Sequence, residues 1–172
     1  PAPPPKELIE LKEISVGPLK DIYIERGGVR LHGLDHGGAE GPVILLLHGA
    51  VAHARWWDAV APGLAGLGRP VAIDLRGHGK SSPVDLSRTS MHDYVADIRQ
   101  QVNALPHPPI LMGWSMGGLL AMIVAATSDA VACVALAPSM PARRVETSIT
   151  LRTGEFGPEE YSNTSYDPEE QP

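Results

Sequence analysis

The run Val43-Ile44-Leu45-Leu46-Leu47 constrains this chain more than any other stretch. Five consecutive apolar residues stand between Gly41-Pro42 and His48-Gly49. A strand that leaves one face to water alternates polar and apolar residues. A strand without that alternation is covered on both faces, as at the centre of a parallel sheet. Val71-Ala72-Ile73-Asp74, Ile110-Leu111-Met112-Gly113 and Val131 to Leu136 have the same character. Helices are expected between these runs, at about 55–66, 90–104 and 116–127. Such alternation predicts an α/β architecture: a mostly parallel, doubly wound sheet with right-handed crossovers. Ahead of it, residues 20–35 read as a hairpin turning at Gly27-Gly28.

In sheets of this kind ligands bind beyond the carboxyl ends of the strands. The unusual motifs fall there: His48-Gly49-Ala50 after the first central strand, Asp74-Leu75-Arg76-Gly77-His78-Gly79-Lys80-Ser81 after the next, and Ser115 after the third. Gly113-Trp114-Ser115-Met116-Gly117 fits a nucleophile elbow, in which the chain passes from strand to helix in almost no length. Side chains two before and two after the serine would collide, so glycine is needed at both positions. The new helix aims its first amides at the serine, and the Met116 N–H is placed to stabilise an oxyanion. The pattern alone also fits a turn that merely caps a helix. The buried strand before it and Leu119-Leu120-Ala121-Met122-Ile123 after it favour the catalytic reading. The Ala50 N–H is a candidate second oxyanion donor, with His48 bracing its loop. Arg76 and His78 read as loop-fixing residues, and the spacing of a phosphate-binding loop is absent. Trp56-Trp57 read as packing on the sheet, with a pocket role as the secondary reading. Val51, Trp114 and Met140 are weaker candidates for lining a substrate pocket.

The chain has 172 residues, 43% apolar, with a net charge of −6. From Thr153 onward six acidic residues occur with no Lys or Arg, leaving fourteen of each sign in the rest, so the acidity belongs to a tail. With no basic stripe, nucleic-acid binding is not expected. No apolar stretch approaches the ~20 residues of a membrane helix. Pro1-Ala2-Pro3-Pro4-Pro5 lacks the regions of a signal peptide, which makes a cytoplasmic location the default expectation. The single cysteine, Cys133, lies in an apolar run and is expected to be buried and inert. No clustered His, Cys and Asp suggests a metal, and no cofactor is called for.

The strand-His48-Gly49 motif, the Asp74–Ser81 loop and the Gly-Trp-Ser-Met-Gly-Gly elbow, in this order, resemble the α/β-hydrolase superfamily over residues 20–140. They look most like its small esterase, lipase-like and haloperoxidase-like branch. The resemblance implies Ser115 as nucleophile, with the Met116 and Ala50 amides as oxyanion hole and a small-molecule ester as substrate. It also implies a cap inserted after the strand ending near Leu136. The expected organisation is thus a proline-rich lead over 1–19, the amino-terminal part of the hydrolase core over 20–137, and the start of a cap with an acidic tail over 138–172. Epoxide hydrolases and haloalkane dehalogenases resemble this chain but use aspartate where Ser115 stands. Cofactor-free haloperoxidase, carbon–carbon hydrolase and aminopeptidase chemistries remain alternatives, as does a non-catalytic small-molecule-binding homologue.

The family's triad runs Ser, acid, His along the chain. Yet His32, His36, His48, His53, His78, His92 and His107 all precede Ser115. Asp129 enters the next strand at its amino end, on the wrong side of the sheet. One reading recruits His53 or His78. The favoured reading is an amino-terminal portion whose Asp and His come from a separate carboxyl-terminal fragment docked beside it. Val131 to Leu136, apolar on both faces, is then an edge strand that needs covering.

Overall fold

The computed structural model describes residues 19–139 apart from Gly27. The proline-rich lead, Met140 and the acidic tail lie outside the described residues. The hairpin forms as expected. Strand β1, Lys20–Arg26, pairs antiparallel with β2, Val29–Asp35, with Arg26 opposite Val29 at the turn. Gly28 sits there at φ 79°, a left-handed conformation that glycine adopts without steric cost. The other strands are β3 (Val43–Leu47), β4 (Arg69–Asp74), β5 (Ile110–Trp114) and β6 (Ala132–Leu136). Their order across the sheet is β1-β2-β4-β3-β5-β6. β2 pairs antiparallel with β4, while β3 is parallel to both β4 and β5, and β5 to β6.

The full apolarity of β3 has the expected cause. Leu45 and Leu47 enter a core on one face with Val71, Ile73, Leu111, Ile98, Leu120 and Val124. Ile44 and Leu46 enter a second core on the other face with Leu34, Ala54, Trp57, Ala61 and Ala72. Each such side chain contributes roughly 1.5–3 kcal/mol by leaving water.

Helix α2, Met91–Ala104, and helix α3, Met116–Ala125, lie where expected. The α2 N-terminus is fixed by Asp93, whose carboxylate accepts from the Ser90 N–H at 2.8 Å and the Ser90 hydroxyl at 2.7 Å. The helix expected over 55–66 is instead two short pieces, a 3-10 turn at Ala54–Trp57 and a single turn, α1, at Ala61–Leu64. Pro62 explains the break: it has no N–H to donate back along a continuous helix, yet its ring suits a first turn.

At the far edge, β6 has only β5 beside it among the described residues. Val131 is 64% and Leu136 41% exposed, and Val134 is also open to solvent. The expectation that Cys133 is buried is corrected, because it is exposed on this edge strand. Partial desolvation still holds its thiol above the usual range.

The chain runs outward from β3 to β4, then returns across β3 to β5 and β6. The direction of winding therefore reverses at β3. The crevice such a reversal opens lies beyond the carboxyl ends of β3 and β5, where Leu47 is in register with Gly113.

Candidate active site

Ser115 joins β5 to α3 with φ 55° and ψ −120°, a conformation that costs a non-glycine residue about 1–3 kcal/mol. Its neighbours over-determine it. The Ser115 N–H donates to Leu136 O at 3.0 Å, and its carbonyl accepts from Leu119 N–H at 3.1 Å and Ser139 N–H at 3.0 Å. The elbow glycines are required by proximity, not by φ. A Cβ on Gly113 would land inside contact distance of Gly117 O, and one on Gly117 would meet the carbonyls of Leu47 and His48. Gly49 lets the neighbouring loop approach, since a Cβ there would lie 3.3 Å from both Ser115 Cβ and the Trp114 ring.

Two backbone donors near this elbow have no acceptor among the described residues, the Met116 N–H, which opens α3, and the Ala50 N–H. His48 orients the second of them. Its fully buried ring donates from Nδ1 to Gly49 O at 2.7 Å and accepts at Nε2 from Leu75 N–H at 3.0 Å. Gly49 C=O and Ala50 N–H belong to one trans-planar amide, so drawing the carbonyl toward His48 turns the N–H the opposite way. The Nε2 lone pair is in use only in the neutral ring. Burial, reinforced by the nearby His78 and only partly offset by the bond to Gly49, lowers the His48 pKa to about 4.

Asp74, at the end of β4, organises the loops behind the serine. Its carboxylate accepts from Ala54 N–H at 2.6 Å, Lys80 N–H at 2.9 Å and His32 Nδ1 at 2.7 Å. Burial pushes its pKa up, but these hydrogen bonds outweigh burial and hold it below the usual carboxylate value. The other His32 nitrogen lies 2.7 Å from Asp21 Oδ1. Arg76 grips Asp97 of α2 through two 2.6 Å bonds, which ties the loop after β4 to the helix.

The remaining candidates fall as follows. Val51 is 77% exposed on the loop beside Ala50. Trp114 stacks on Trp56 with ring centres 5.2 Å apart, while Trp57 is buried in the core. Trp114, Leu136, His48, Trp56, Trp57 and Val60 line an apolar cleft of about 240 Å³. Met140 lies outside the described residues. No histidine is bonded to the serine hydroxyl. His32 is held between carboxylates, His36 is buried with Nε2 3.9 Å from Asp58, His48 and His78 contact backbone, and His53, His92 and His107 are exposed. Among the described residues no cluster of His, Cys, Asp and Glu is arranged for a metal ion, and no helix is long and apolar enough to cross a membrane.

A strained serine at a strand-to-helix elbow, beside a His-Gly loop on a sheet that reverses at β3, defines the class. The chain belongs to the alpha/beta hydrolase family, whose model matches residues 44–167. Among curated relatives it is 38% identical over 97 residues to protein phosphatase methylesterase 1 of Mus musculus, covering 53% of this chain and 25% of that protein. It is 30% identical over 117 residues to epoxide hydrolase 4 of Mus musculus, covering 67% of this chain and 33% of that protein. Among solved structures it resembles the thioesterase domain from the curacin biosynthetic pathway, with TM-score 0.68 and 31% identity, over 77% of this chain and 49% of that one. The chain thus spans a quarter to a third of these curated relatives.

Proposed function

We propose that this chain carries the nucleophile and oxyanion hole of a serine hydrolase that cleaves carboxylic esters. The observation that carries the reading is the strained Ser115, held at the carboxyl end of β5 with the Gly49-Ala50 loop close beside it, where among the described residues neither the Met116 nor the Ala50 N–H has an acceptor. Ser115 Oγ attacks the ester carbonyl while a histidine takes its proton, and the oxygen that becomes negative is held by the two amides. Collapse expels the alcohol, which recovers the proton and leaves an acyl-serine. Water then repeats the sequence and releases the acid. The names of the relatives agree with acyl chemistry in the methylesterase and the thioesterase domain. The epoxide hydrolase is the contrary case, and the serine at the elbow favours the ester reading over it.

The histidine and its orienting aspartate come, in this proposal, from a carboxyl-terminal portion of the same fold that packs against the edge strand. Two features support it. Among the described residues β6 has an apolar edge with no strand beside it, and α3 is the helix that packs on β5 and β6. On the opposite face Trp114, Val134 and Leu136 remain exposed.

The test is labelling of Ser115 with a fluorophosphonate probe, read by mass spectrometry, with the portion that follows β6 present and absent. Rapid labelling and ester turnover only when it is present, both lost in Ser115→Ala, are the expected results. Full turnover by the 172-residue chain alone would overturn the divided site, and tight ligand binding at a serine that never labels would favour a receptor.

A further inference from the structure

The loop after β4 is held firmly without the His78 side chain. Gly77 N–H bonds Ser82 O at 3.0 Å, Ser81 N–H bonds His78 O at 3.0 Å and Ser82 N–H bonds Arg30 O at 2.8 Å. Asp74 takes Lys80 N–H, the Ser81 hydroxyl donates to Asp74 O at 2.5 Å, and Arg76 is clamped to Asp97. The loop after β3 is anchored far more sparsely. Gly49 O receives Ala52 N–H at 3.2 Å and the His48 ring, and the bond that reaches Ala50 itself comes from His78.

The His78 ring lies between two carbonyls, with Nδ1 2.9 Å from Arg76 O and Nε2 2.5 Å from Ala50 O. Carbonyl oxygens only accept and a neutral imidazole carries one N–H, so the ring donates to one of the two carbonyls, and the shorter contact, to Ala50 O, takes the Nε2–H. The rings of His48, 5.1 Å away, and Tyr94, 6.4 Å away, flank the imidazole.

We propose that His78 is a positioning residue for the oxyanion hole: by donating from Nε2 to Ala50 C=O it fixes the second of the two amide planes flanking the Ala50 Cα, and so the aim of the Ala50 N–H. His48 fixes the first plane through Gly49 C=O. With both planes pinned, the Ala50 backbone has no free torsion through which its N–H could swing. The inference rests on Ala50 serving as an oxyanion donor.

Two amide side chains separate this role from bracing of the loop that carries His78. A glutamine amide nitrogen reaches the place of Nε2, and an asparagine amide nitrogen that of Nδ1. His78→Gln therefore keeps a donor to Ala50, whereas His78→Asn places one only near Arg76 O. In 15N-labelled 172-residue chain, His78→Asn is expected to shift and broaden the Ala50 amide signal, and His78→Gln to restore it. The methyl signals of Leu46 and Ile98, in the two cores, report whether either variant still folds. With the proposed carboxyl-terminal portion present, His78→Asn is expected to lower kcat for p-nitrophenyl acetate about 10–100-fold at nearly constant KM, because a misaimed donor forfeits part of the ~10²–10³ that a donor supplies. His78→Gln recovers most of that loss. An Ala50 amide as ordered in His78→Asn as in the unaltered chain would overturn the inference. A loosened Ala50 amide with unchanged kcat would instead overturn Ala50 as oxyanion donor and leave the loop contact standing.

Discussion

Acid should loosen the loop after β3 through a single buried imidazole. His48 is fully buried, donates from Nδ1 to Gly49 O and accepts at Nε2 from Leu75 N–H. A protonated ring could not accept from Leu75, and its charge would have no solvent. The folded pKa of about 4 therefore lies below the 6.5 of an ordinary imidazole. At ~1.4 kcal/mol for each tenfold change in proton affinity, that difference amounts to roughly 3 kcal/mol. The direction follows from which state takes up the proton first. The unfolded chain binds it near pH 6.5, and the folded chain not until about pH 4. The contribution is therefore whole above pH 6.5, declines as pH falls through that window, and levels off below it. Burial also lowers the His36 pKa and adds loss in the same direction, so the pH dependence of the unaltered chain alone is not diagnostic. His48→Gln removes one titrating ring and leaves His36 in place. Urea unfolding of both proteins at intervals from pH 7.5 to 4 should show the variant less stable at neutral pH and the gap closing by roughly 3 kcal/mol toward pH 4. Histidine-ring NMR of the unaltered chain should find one imidazole still neutral at pH 5. A gap that stays constant within ~0.5 kcal/mol across the range, or a His48 ring already charged at pH 6, would refute the reasoning.

Strain at Ser115 should appear as a stability difference between two inactive variants. Ser115→Gly relieves φ 55° and Ser115→Ala does not, so by thermal unfolding the glycine variant should be the more stable by about 1 kcal/mol after its backbone-entropy cost; equal stability would show the elbow to be unstrained. Asp74→Asn preserves shape but turns an amide N–H toward donors the carboxylate now accepts, Lys80 N–H among them. It should destabilise the chain by about 2–3 kcal/mol in urea, and a loss under ~0.5 kcal/mol would remove Asp74 as the organiser of these loops.

What the sequence disclosed followed the kind of signal each element carries. β3 and β5 were legible because burial on both faces leaves no polar residue in register, and α2 because a helix-like stretch separates two apolar strand runs. The stretch after Ala54 misled because its apolar spacing suits a helix while Pro62 forbids one from running through. Cys133 misled for a subtler reason. An apolar strand at a sheet edge has the composition of a central one, and only the neighbour that is or is not beside it tells them apart. At the site, the elbow could be read because steric necessity writes glycine at 113 and 117. The part of Asp74 could not, since a buried carboxylate at a strand end looks like many others until three donors converge on it.

The divided site, as proposed, would also account for where the polar groups beside Ser115 are spent. His48, His78 and Asp74 each turn toward backbone, and none of them reaches the Ser115 hydroxyl. They hold the amides of Gly49, Ala50 and Ala54, and so set the direction of N–H groups instead of moving protons. An oxyanion hole must be rigid before substrate arrives, because donors that reorganise during the reaction return much of the advantage they give. A proton shuttle has no such need to be part of the same rigid body, provided it can reach Nε2-to-Oγ distance once docked. That difference in mechanical demand is what would let the proposed oxyanion donors be fixed beside the strained serine while the proposed base docks from a different part of the fold.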